Sequence, residues 1–128
     1  MAKYDDIDLV PPKNVREAAR KGLEMRREHG RGGLDSREAG QQNIKSGVVR
    51  ASTLERGLRV SVETIRAMVR FFSRTENYKN AKGSKATGFW GDYNNPSAGF
   101  VAHHLWGGDP GERGAKRKLE EIERVDAK

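Results

Sequence analysis

The chain has 128 residues, 25 Lys+Arg against 18 Asp+Glu, a net charge of +7 and a mean hydropathy of −0.88. Apolar and charged residues each make up 34%, which suits one small core rather than several domains. The absence of cysteine excludes a disulfide framework, a thiolate zinc site and a cysteine nucleophile. No apolar run approaches the roughly 18–20 residues of a membrane span, so the sequence reads as a soluble, intracellular protein.

Residues 1–12 carry Asp5, Asp6 and Asp8 against Lys3 and end in Pro11-Pro12, which predicts a flexible acidic arm ahead of a helix. From Lys13 the apolar positions Val15, Ala18, Ala19, Gly22 and Leu23 recur at helical spacing. That helix is expected to stop near His29, before the breakers Gly30-Arg31-Gly32-Gly33. A second, weakly apolar helix is expected from the Asp35/Ser36 cap to Leu54 or Arg56, with Gly57 as its stop. The clearest element is Ser61 to about Glu76. Ser61 caps it, Glu63 sits in its first turn, and Val62, Ile65, Val69 and Phe72 form one stripe, to be packed against the first helix and the Trp90/Trp106 segment.

Lys79–Asn95 reads as a long Gly/Asn-rich loop interrupted by Phe89-Trp90. A short helix follows over Ala98–Leu105, then Trp106-Gly107-Gly108 and a charge-rich last helix from Glu112 to Val125. No period-2 alternation is long enough for a strand. The expected architecture is all-α: a compact bundle of four to five short helices with flexible termini, residues 13–125 forming a single helical domain.

The charge is uneven. Residues 13–31 hold seven basic side chains against Glu17, Glu24 and Glu28, whereas residues 96–128 are balanced. A polyanion would therefore meet the amino-terminal two thirds. Arg66, Arg70 and Arg74 follow at steps of four on the Ser61 helix, with Arg59 just ahead; Lys13, Arg16, Arg20 and Arg27 form a comparable set on the first helix. These eight are the candidate nucleic-acid-binding residues. Val60-Ser61-Val62-Glu63-Thr64-Ile65-Arg66 also resembles the start of a recognition helix in helix-turn-helix proteins, with Ala51–Arg56 closing the supporting helix. The same letters equally describe any well-capped amphipathic helix.

Other motifs carry less. Gly30-Arg31-Gly32-Gly33 lacks the Lys-Ser/Thr of a nucleotide-binding loop. Trp90, Trp106, Phe89 and Tyr93 could stack on bases but read first as core anchors. His103 and His104 are adjacent and point about 100° apart on a helix, which disfavours joint chelation of one metal. Asp92, Asp109 and Glu112 could complete a site only in space. A small hydrolase using His103, His104 and Asp109 is thus a minor reading, and no catalytic residue, cofactor or metal is assigned.

Val15, Ala18, Ala19, Gly22, Leu23 and Arg26, then Ser61, Glu63, Thr64, Ile65, Met68, Phe71 and Phe72, recur in order. Together with Pro96–Ala102 and Leu105-Trp106-Gly107-Gly108-Asp109, they resemble a small helical module of tailed-phage and prophage proteins, over about residues 12–115. This chain departs from that pattern at His103-His104 and near Gly114. The resemblance implies a phage or prophage origin, action in the host cytoplasm or association with the virion, and a compact helical fold. It implies no catalytic residues. The function expected is nucleic-acid binding, with double-stranded DNA favoured. The alternative is a phage structural or accessory protein that docks on a capsid component or inhibits a host protein.

Overall fold

A computed structural model describes residues 3–30, 47–80 and 82–128, with the backbone alone for 47–50. Among the described residues there are five α-helices: α1 Lys13–His29, α2 Gly47–Glu55, α3 Val62–Arg74, α4 Ala98–Leu105 and α5 Gly108–Asp126. They hold no strand, only the isolated bridges Ser84 to Gly88 and Phe89 to Pro96. The all-α reading is therefore correct. The Asp35/Ser36 start expected for the second helix lies outside the described residues.

Local chemistry sets most boundaries. Ser61 Oγ accepts from the Thr64 amide at 3.1 Å, and Ser97 Oγ from the Phe100 amide at 3.2 Å, so α3 and α4 both open on a serine cap. Gly30, at φ 64°, closes α1 by returning its amide to the Arg26 carbonyl. The last helix begins earlier than its sequence suggests. Gly107, at φ 106°, is its N-cap, and Gly108 and Pro110 lie in its first turn. A proline there removes only an amide that no helical carbonyl would accept.

The core is one cluster that includes Met25, Leu54, Ile65, Met68, Phe72, Val101, Leu105 and Ile122. α1 packs chiefly on α4 and α2, and also on α5; α3 packs chiefly on α5. The expected seat of the α3 stripe on α1 is corrected to α5, while its contact with the Trp106 segment is as expected. Ile65 and Phe72 are buried, joined by Thr64, Met68 and Phe71, while Val62 and Val69 are only half-buried. Phe71 stacks on Trp106 at 4.7 Å and Phe72 meets the His103 ring edge-on at 5.2 Å. α2 and α3 share no more than marginal contact. The paired packing of a helix-turn-helix is thus missing among the described residues.

Two segments outside the helices are organised. Residues 3–12, set apart in the sequence as an acidic arm, lie against the bundle with Ile7, Leu9 and Pro11 buried. The Val60 amide donates to the Leu9 carbonyl at 3.0 Å. Arg59 donates to the carbonyls of Ile7 and Tyr4, and Asp126 receives Lys3 and Tyr4. Beyond a 3-10 turn over Glu76–Asn80, the Asp92 carboxylate accepts from the amides of Asn94 and Asn95 at 2.8 and 3.1 Å. That fixes the loop beneath Trp90.

Candidate functional site

The eight candidate basic residues do not share one role. Arg59 is occupied by the carbonyls of Ile7 and Tyr4, at 2.9 and 3.2 Å. Arg66 reaches Asp126 at 3.1 Å and Glu63 at 3.8 Å. Arg16 donates to the Glu55 carbonyl at 3.2 Å and lies over Gly57, tying α1 to the end of α2. Arg20 is held between Glu17 and Glu24, at 3.2 and 3.1 Å.

Four remain. Lys13, Arg27, Arg70 and Arg74 are exposed and make no ion pair among the described residues. Arg70 and Arg74 stand on the α3 face opposite Ile65, Met68 and Phe72. α1 and α3 both pack on α5 but share no more than marginal contact with each other, so helix packing does not merge the two basic sets into a single ridge.

A second constellation lies where α4 meets α5. Gly107 and Gly108, at φ 106° and 66°, reverse the chain and bring the first turn of α5 opposite the last turn of α4. His103 Nε2 and Asp109 Oδ1 are 2.8 Å apart, with the imidazole buried edge-on between Phe72 and Trp90. Glu112 lies one turn beyond Asp109, and the three side chains offer ligand atoms within 4.8 Å of one another. Lys79 stands 3.7 Å from Asp109, and Lys116 pairs with Glu112 at 2.9 Å. A cleft of about 390 Å³ opens beside them, lined by Lys79, Trp90, Tyr93, His104 and Pro110 among others.

Burial pushes the Asp109 carboxyl upward, but the His103 hydrogen bond and the charges of His103, Lys79 and Arg113 outweigh it. The net result lies below the usual carboxylate range. His104 differs from its neighbour. Its Nδ1–H donates to the Phe100 carbonyl at 3.1 Å, leaving Nε2 to accept from the Tyr93 hydroxyl at 3.3 Å. Burial pulls this imidazole below its ordinary value, so it is held neutral.

The two histidines therefore diverge, as their adjacency on a helix requires, while His103, Asp109 and Glu112 converge. Helical periodicity alone does not reveal that convergence, because the turn at Gly107 separates the partners. The carboxylate pair at i, i+3 just after a Gly-Gly reversal was the available signal. Asp92 is spent on its own loop, and Trp106 on Phe71. No protein-family model matches the chain, and no curated protein or solved structure is significantly similar to it.

Proposed function

We propose that this is a phage-derived nucleic-acid-binding protein that engages double-stranded DNA through the solvent face of α3, in the host cytoplasm. The observation that carries the reading is the state of Arg70 and Arg74: exposed, opposite the core, and unpaired among the described residues. An unpaired guanidinium on a rigid helix can neutralise a phosphate without first giving up an internal partner. Lys13 and Arg27 add charge on α1 that is unpaired among the described residues, and the net charge of +7 supplies long-range attraction. Arg59 and Arg66 hold the fold together instead.

Four neutralised phosphates would give a log–log salt slope of about −3.6, and each lost contact would lower it by about 0.9. Titration of a labelled plain duplex at low and moderate salt tests this directly. Arg70→Ala combined with Arg74→Ala is expected to weaken binding and flatten the slope by about 2, without unfolding the protein. No binding at micromolar protein in low salt would end the proposal.

A further inference from the structure

We propose that His103, Asp109 and Glu112 form a binding site for a divalent transition-metal ion, Zn²⁺ by preference, open towards the cleft beside α4. The donor set selects the class of ion. One imidazole nitrogen and two carboxylates suit Zn²⁺, Co²⁺ or Ni²⁺, whereas Ca²⁺ and Mg²⁺ favour oxygen alone.

The geometry divides the labour between a fixed ligand and two adjustable ones. His103 is 5% exposed, wedged against Phe72 and Trp90, and its Nε2 is already directed at the Asp109 carboxylate 2.8 Å away. Asp109 and Glu112 lie on one face of the first two turns of α5, where their oxygens can rotate without moving the backbone. All three ligand atoms fall within 4.8 Å of one another. A single ion at about 2.0–2.2 Å from each donor needs separations of about 3–3.5 Å, so small side-chain rotations close the set. The ion would sit between His103 Nε2 and Asp109 in place of the hydrogen bond that now joins them.

Three protein ligands leave a fourth position free, the arrangement of a site that admits water or substrate. His103 and Asp109 line the cleft walled by Trp90 and Tyr93, into which that position would open. His104 is not a ligand, because the Phe100 carbonyl and the Tyr93 hydroxyl use both its nitrogens. The opposition comes from Lys79 and Lys116, which now pair with Asp109 and Glu112. Both lysine side chains are about half exposed, at 45% and 56%, and an exposed pair of this kind lowers metal affinity by no more than about five-fold.

The test uses the untagged full chain stripped of metal with a chelator. Zn²⁺ and Co²⁺ are titrated by calorimetry, and Co²⁺ is also followed by its visible absorption. The expected result is one ion per chain with a dissociation constant below about 100 µM, and displacement of Co²⁺ by one equivalent of Zn²⁺. Asp109→Asn and Glu112→Gln, at surface positions, are expected to keep the circular dichroism of the parent. Each should weaken binding by at least about tenfold, the loss that removing even an outer partner of a metal ligand produces. Cu²⁺ should quench Trp90, whose ring lies 5.1 Å from His103, in the parent and less in either variant. No saturable binding in that range, or equal binding by parent and both variants, overturns the assignment.

Discussion

One methyl group placed at two glycines should have opposite consequences. Gly22 lies inside α1 where that helix crosses α4, and a Cβ there would meet the Leu105 amide nitrogen at 2.6 Å and the His104 carbonyl carbon at 2.8 Å. Both are backbone atoms, which cannot rotate aside. Comfortable contact needs about 3.5–4.0 Å, so α1 and α4 would have to part by about 1 Å. That separation loosens the packing of Ala19, Met25, Val101 and Leu105, all buried. Overpacking of this kind costs about 1–3 kcal/mol, against about 1 kcal/mol gained by replacing glycine inside a helix. Because both obstacles are backbone, the upper end of that cost applies, and the expected net loss for Gly22→Ala is about 2 kcal/mol, or a fall of about 8 °C in Tm for a chain of this size. Gly114, inside α5, has nothing within 4 Å of its built Cβ, so Gly114→Ala should gain about 1 kcal/mol and about 4 °C. Urea unfolding followed by far-ultraviolet circular dichroism measures both. A Gly22→Ala protein as stable as the parent, or two variants shifting the same way, would refute the argument.

Two further outcomes test local features. Ser61→Ala should lower stability by about 1 kcal/mol through loss of the α3 cap, and Ser61→Gly by only a few tenths; equal losses would dismiss the cap. Hydrogen bonds from Lys3 and Tyr4, with the nearby charge of Arg66, hold the Asp126 carboxyl below its ordinary range. A depressed carboxyl contributes stability that is present above its unfolded value and lost as pH falls through the folded one. The difference in Tm between the parent and Asp126→Asn should therefore be largest near neutrality and vanish in acid; a difference independent of pH would contradict it.

How legible each part was follows from the range of its interactions. α3 and α4 were plain because a serine cap and an apolar stripe act within a few residues. The start of α5 was hidden because Gly107, Gly108 and Pro110 read as breakers, although all three are admissible at a helix entrance. The packing of residues 3–12 was masked by Asp5, Asp6 and Asp8. The alternation of buried Ile7, Leu9 and Pro11 with exposed Asp8 and Val10 was its faint signal. The basic residues show the same limit. Neighbours at i±4 left Arg66 almost free, but its carboxylate lies 60 residues away, and the carbonyls that hold Arg59 lie 52 and 55 residues away. Apart from Glu63, three residues before Arg66, nothing local separates those arginines from Arg70 and Arg74.

The order of packing also bears on how the chain is made. α3 finds its cover chiefly on α5, and α1 has its most extensive contact with α4. Both partners come late in the sequence. While a ribosome is still adding residues before about Ala98, the stripe of Ile65, Met68 and Phe72 has almost nothing to close against. Lys3 and Tyr4 also lack Asp126, their partner in the last turn of α5. Vectorial synthesis therefore leaves these surfaces exposed until α5 has been made. Emergence of α5 supplies the cover that α3 needs to close the core.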